Sequence, residues 1–188
     1  MGRFIAGLII GIILVPVGML AWVRWGNPPV AVADHPLPFE KQITSVPLHA
    51  RIDREMVKTP PIQPTNDNLI AGAQVYSDNC AVCHGMKGKP ADLGSHIFPP
   101  APQLWRKHPH GDVVGVSDDP PGETYWKVAN GIRLTGMPSF DHILSNQQMW
   151  QVTMLLKHAN QPLPPAADVM VSPAPATPPA PPAPAKKK

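Results

Sequence analysis

The chain has 188 residues, 27 of them proline, and a formal net charge of +3, which leaves room for one ordinary domain with extensions rather than two full domains. Between Asn66 and Pro162 seven Lys or Arg stand against eight Asp or Glu, so the excess positive charge lies in the tails and non-specific nucleic-acid binding is excluded as a function. Cys80 and Cys83 are the only thiols.

Phe4 to Val23 is an uncharged apolar run of 20 residues between Arg3 and Arg24, the length that crosses ~30 Å of hydrocarbon at ~1.5 Å per residue. It predicts a membrane-spanning helix. Pro16 and the glycines at 7, 11 and 18 are tolerated in such a helix, and Trp22 and Trp25 sit where an interfacial anchor is expected. Gly7 and Gly11 form a Gly-x-x-x-Gly, a weak helix-pairing signal. Ala31-Val32-Ala33 offers a small-residue cleavage site, as in a signal peptide. The apolar run is too long for the usual signal core of about 7–15 residues, and Asn27-Pro28-Pro29 separates it from that site, so a retained anchor is the expectation.

From Asn27 to Thr65 prolines recur at 28, 29, 36, 38, 47, 60, 61 and 64, and no long helix or strand is expected to run through them. One short helix is allowed where Pro47 starts a turn and Leu48, Ile52 and Met56 follow on one stripe. The division is therefore 1–25 anchor, 26–65 proline-rich spacer, 66–161 folded domain and 162–188 tail. That tail holds ten prolines in 27 residues, ends Lys186-Lys187-Lys188, and is expected to be disordered or polyproline-like.

Within the domain, Thr65 or Asn66 is expected to cap a helix carrying Leu69, Gly72, Ala73, Tyr76 and Cys80 on one face. That helix delivers the first thiol of Cys80-Ala81-Val82-Cys83-His84. Two thiols two residues apart followed by an imidazole suit covalent haem attachment, each sulfur adding to a vinyl group and His84 ligating iron. A thioredoxin-like redox pair would be expected beside a strand-helix unit, and zinc would need two more thiols or close-set histidines. Gly85, Gly88, Pro90 and Gly94 predict a loop after His84. Gly122 to Ala129 reads as a short helix stopped at Asn130-Gly131, and Ser145-Asn-Gln-Gln148 is a capping box for a last helix ending near His158. On spacing alone, His96, His108, His110, Met137 and His142 are all open as a second axial ligand.

Gly72-Ala-Gln-Val-Tyr76 leading into Cys80-Ala-Val-Cys-His84-Gly85, then Asn130-Gly131-Ile132, then Gly136-Met137-Pro138-Ser139-Phe140 and a helix carrying Trp150, resembles the class I c-type cytochromes over about residues 66–160. The resemblance does not extend to either end. It implies an all-α fold of about three or four helices around one covalently attached haem c, bound through Cys80 and Cys83 and ligated by His84 and Met137. That fold is preceded here by one transmembrane helix and followed by the proline-rich tail. The resemblance further implies that the first helix crosses the last at Gly72, and that a proline carbonyl, of Pro102 or next of Pro100, accepts a hydrogen bond from the His84 ring. Tyr76, Trp105 and Trp126 are implied to line the haem pocket.

With both axial positions filled by protein, no substrate site remains on the iron. No carboxylate pair, phosphate loop or nucleophile-base set appears elsewhere, so the chain reads as an electron-transfer protein rather than an enzyme. The expectation is a one-electron carrier of a bacterial respiratory-type chain, tethered by its N-terminal helix. Its partners are a redox donor and acceptor, membrane complexes foremost, with no small-molecule substrate. Because cytochromes of the class it resembles acquire haem outside the cytoplasm, the domain is expected on the periplasmic side of the cytoplasmic membrane. The alternatives are a fixed subunit of a membrane dehydrogenase or terminal oxidase and, if Met137 does not ligate, a gas sensor or peroxidase.

Overall fold

The computed structural model describes residues 1–173. Regular structure within them is all helical: α1 Gly2–Trp25, α2 Glu40–Glu55, α3 Asn66–Asn79, α4 Ala81–His84, α5 Asp92–Ser95, α6 Pro121–Asn130, α7 Asn146–Lys157 and α8 Pro165–Val171. Among the described residues no strand forms, only isolated bridges joining Met86 to Lys89 and Lys107 to Val114. Contacts divide the chain into a unit Met1–Ser45 and a unit that begins at Val46.

The first unit is dominated by α1, a helix long and apolar enough to cross a membrane, with Pro16 inside it. At its end the Arg24 guanidinium stands 5.9 Å from the Trp25 ring centre, a cation over an aromatic face. Farther on, the Asp34 carboxylate accepts the N–H groups of Val30 and Ala31, each at 2.8 Å. The Ala31-Val32-Ala33 segment is thereby folded into a turn.

The expectation that prolines keep residues 26–65 free of any long helix is corrected by α2, which has 16 residues with Pro47 in its interior. Proline removes one ladder donor and crowds the preceding turn, but Pro47 is exposed and the C-terminal half of the helix is held by tertiary contacts. Ile52 is only 1% exposed. Arg51 lies 5.8 Å from the Trp126 ring centre, and Trp126 Nε1 donates to Glu55 Oε2 at 2.9 Å. From Val46 onward this stretch belongs to the folded unit.

α3 starts at the Thr65 cap, whose hydroxyl accepts from Asn68 N–H at 3.4 Å, and its buried face is Leu69, Gly72, Ala73, Val75 and Tyr76. α7 starts at a complete capping box, with Gln148 N–H on Ser145 Oγ at 3.2 Å and Ser145 N–H on Gln148 Oε1 at 2.9 Å. The two helices cross at Gly72. A methyl group there would sit 2.3 Å from the Gln151 carbonyl oxygen, so only glycine permits this approach. Around the crossing lies one core of Ala73, Val75, Tyr76, Leu104, Trp105, Val128, Val152 and Leu155 among others. A satellite of Leu69, Trp150 and Met154 is topped by Tyr125, stacked on Trp150 with centroids 4.2 Å apart.

The C-terminal boundary expected at residue 161 is also corrected. Pro164 and Pro165 start α8 rather than ending all order, since proline at the first helical turn forfeits no internal bond. Ala167 and Val171 are completely buried in the main core. Lys87 N–H donates to Val171 O at 2.8 Å, and the Lys87 ammonium pairs with Asp168. The remainder of the expected disordered tail, with Lys186 to Lys188, lies outside the described residues.

Candidate functional site

α3 ends with Cys80 as its C-cap, and the chain tightens at once into the single turn α4, where His84 N–H donates to Cys80 O at 2.9 Å. One turn thus carries both thiols and the imidazole. Tyr76 fixes its far end by donating its hydroxyl to Gly85 O at 2.6 Å. The thiols are free. Burial, reinforced by Cys83, pushes the Cys80 thiol up to about 12, the reverse of the lowered value that makes a reactive redox cysteine.

His84 Nδ1 lies 2.8 Å from Pro102 O. A carbonyl only accepts, so Nδ1 carries the proton and Nε2 is left with its lone pair. Burial lowers the proton affinity of the ring, and the bond to Pro102 opposes this. Backbone pairing supports the same contact, with Leu104 N–H donating to His84 O at 3.2 Å.

Met137 sits in the loop after α6 and packs, partly buried, against the core that also receives Cys80, Tyr76 and Trp105. The loop is tied down at several points. Gly131 adopts φ +66, where a side chain would meet Pro138 and Ser139 backbone at 2.6 Å. Ile132 N–H donates to Met137 O at 3.2 Å, Met137 N–H to Thr135 Oγ1 at 3.1 Å, and Ser139 Oγ to Ala129 O at 2.9 Å. The competing histidines stand apart: His96, His108, His110 and His142 are all exposed. His96 bonds Asp92 O and Ser95, and His142 lies beside Asp141.

Trp105 meets Tyr76 edge-on, with centroids 5.6 Å apart. Burial pushes the Tyr76 phenol up, Cys80 adds to the shift, and the nearby indole N–H of Trp105 opposes it. That N–H nevertheless completes no hydrogen bond, and it is the buried side-chain polar atom without a partner among the described residues. A buried donor left unmade is costly, and an acidic edge of a bound group would satisfy it. The donor set fits a haem: two thiols on one turn, an imidazole with Nε2 free, a thioether on the same core, and an orphaned N–H.

Trp126, expected to line the pocket, has its polar edge and one face engaged by α2. Its N–H goes to Glu55 and its ring to Arg51, so it forms the seat of α2. Gln103 is a residue that sequence reasoning passed over. Its carboxamide accepts from Ala91 N–H at 2.8 Å and donates to Ala101 O at 3.2 Å and Cys83 O at 3.4 Å. Its only signal in the sequence is its place between Pro102 and Leu104, and a loop glutamine ordinarily reads as solvated.

The family model described as cytochrome C oxidase, cbb3-type, subunit III matches residues 67–154. That span contains every site residue named above and leaves out α1, α2 and α8. No curated protein and no solved structure matches the chain.

Proposed function

We propose, from the match of residues 67–154 to that family model and the class I c-type cytochrome motifs they carry, that the chain carries single electrons through one haem c bound to Cys80 and Cys83, with His84 and Met137 as its iron ligands. The observation that carries this reading is the Cys80–His84 turn, with His84 Nδ1 held on Pro102 O and Nε2 left free. Bound haem would supply an iron able to take up and give back one electron, held by His84 and Met137, and a thioether ligand would raise its potential. The protein's own work is positional. Pro102 orients the imidazole and raises its basicity, Tyr76 pins the end of the turn, the ties of the Asn130–Phe140 loop hold the thioether, and Trp105 offers its N–H to an acidic edge.

α1 is read as a single-pass anchor in the cytoplasmic membrane, with the domain on the extracytoplasmic side. The direct test of attachment is haem stain after denaturing, reducing electrophoresis. It should persist in the parent protein and vanish when Cys80 and Cys83 are both replaced by alanine. Met137→Ala should admit carbon monoxide to the ferrous protein. Ready carbon monoxide binding by the parent at neutral pH would overturn Met137 as ligand, and the carrier reading with it.

A second reading, a fixed subunit of a terminal oxidase, is favoured by the description of the matching family. Extraction in mild detergent separates the two: a stoichiometric complex supports the subunit, and a lone polypeptide supports the free carrier.

A further inference from the structure

We propose that Gln103 is a positioning residue that sets the Pro102 carbonyl on the His84 imidazole and thereby tunes the reduction potential of the site. The proposal rests on His84 being an axial ligand, as read above. Pro102 C=O and Gln103 N–H belong to one rigid peptide plane, so whatever holds Gln103 holds the acceptor of the His84 bond.

Gln103 is held unusually completely for a loop side chain. Its Oε1 takes Ala91 N–H at 2.8 Å, while Nε2 reaches Ala101 O at 3.2 Å and Cys83 O at 3.4 Å. One carboxamide therefore joins the cysteine-histidine turn, the returning loop and the proline segment. Neighbouring contacts run in parallel: His84 Nδ1 to Pro102 O at 2.8 Å and Leu104 N–H to His84 O at 3.2 Å. Without the carboxamide, the Pro102 plane loses its side-chain ties to Cys83 and Ala91 and keeps only backbone bonds, Ala101 N–H to Gly94 O at 2.8 Å before it and Leu104 N–H to His84 O at 3.2 Å after it. A hydrogen bond on the far nitrogen of a ligating histidine makes the near nitrogen a stronger donor, which favours ferric iron. Loosening that bond should raise the potential.

The test uses the full-length holoprotein with Gln103→Leu, which keeps volume but makes no hydrogen bond, and Gln103→Glu, which keeps the acceptor for Ala91 and loses the donor. Both should raise the reduced-to-oxidised ratio at fixed ambient potential, Q103L by up to about tenfold, equivalent to about 59 mV for one electron. Both should also speed solvent exchange of the His84 Nδ1 proton in NMR spectra. Met154→Ala, a core change in the satellite cluster, is the control and should lower stability without moving the potential. Wild-type potential and proton exchange in both variants would overturn the proposal. So would failure of both to give six-coordinate holoprotein, because Gln103 would then be structural only. Failure of the underlying reading looks different: His84→Ala would leave the haem spectrum of the otherwise unaltered protein unchanged.

Discussion

Gly72→Ala is the substitution whose sign separates helix packing from helix propensity. Alanine in a helix interior is favoured over glycine by about 1 kcal/mol, so propensity alone predicts a more stable protein. The structure predicts the opposite. The added methyl group would lie 2.3 Å from Gln151 O and 2.7 Å from Gln151 C, both backbone atoms of α7, whereas an unstrained carbon-oxygen contact is about 3.3–3.6 Å. Neither helix can relieve this by turning a side chain, so α3 and α7 must separate by about 1 Å. A gap of that size forfeits about a quarter to a half of each dispersion contact across the seam. Overpacking in a core costs about 1–3 kcal/mol, and here Val152 and Leu155, fully buried along α7, share the displacement. The net expectation is a loss of up to about 2 kcal/mol after the propensity gain, with Tm falling by about 4–8 °C for each kcal/mol lost. Guanidinium unfolding of the holoprotein, followed by far-ultraviolet circular dichroism, measures it. A variant more stable than the parent by about 1 kcal/mol would refute the crossing geometry.

Two further outcomes concern the extensions that the domain incorporates. The Glu55 carboxyl is held below its ordinary value, first by the Trp126 N–H and then by Arg51. The stabilisation it gives α2 is therefore fully present above that ordinary value of 4.5 and is lost as pH falls through the lowered folded value. Protection factors of the amides in residues 50–56, taken relative to the intrinsic exchange rate at each pH, should fall on acidification, and Glu55→Gln, which keeps an acceptor for Trp126 but does not titrate, should flatten that dependence. Val171→Ala removes two methyl groups from a fully buried site and should cost about 2 kcal/mol by transfer and cavity terms. Urea unfolding is the assay, and an unchanged midpoint would mean that α8 does not contribute to the core.

The core of the domain was legible because its signals are local. Thr65, the Ser145-to-Gln148 box and Asn130-Gly131 mark helix ends by chemistry that acts within four residues, and the apolar stripes between them follow a helical period. The cysteine-histidine turn is equally local. The features that escaped depend on partners far along the chain. A helix starting at Pro47 with Ile52 on its stripe is legible, but not its extension back to Glu40 through the proline nor the tie from Glu55 to Trp126, 71 residues away. Ala167 and Val171 look like tail until α3 provides a surface for them, and Lys87 reaches Asp168 across 81 residues. The tie from the Trp126 N–H to Glu55 is likewise invisible in the sequence, because an aromatic residue in a small domain carries no local sign of its hydrogen-bond acceptor.

These corrections bear on the choice between a mobile carrier and a fixed subunit, because they shorten the tether. A spacer of residues 26–65 would let the domain range widely. With α2 helical from Glu40 to Glu55, only residues 26–39, 14 in all, remain between α1 and α2. Such a segment spans at most about 50 Å when fully extended, and about 20 Å on average if it behaves as a flexible chain. Part of it is further shortened by the turn that Asp34 closes on Val30 and Ala31. On the anchor reading of α1, a domain joined by so short a segment would meet partners beside the anchor at high effective concentration and distant ones hardly at all. Inserting about ten Gly-Ser residues between Asp34 and His35 therefore discriminates. A carrier limited by reach should pass electrons in isolated membranes at a rate that changes with linker length. A subunit docked in a complex should be indifferent to the insertion, and its copurifying partners should remain. Dependence of the rate on linker length in a preparation that also yields a stoichiometric complex would refute the fixed-subunit reading even where the complex is real, since docking alone would then not deliver the electron.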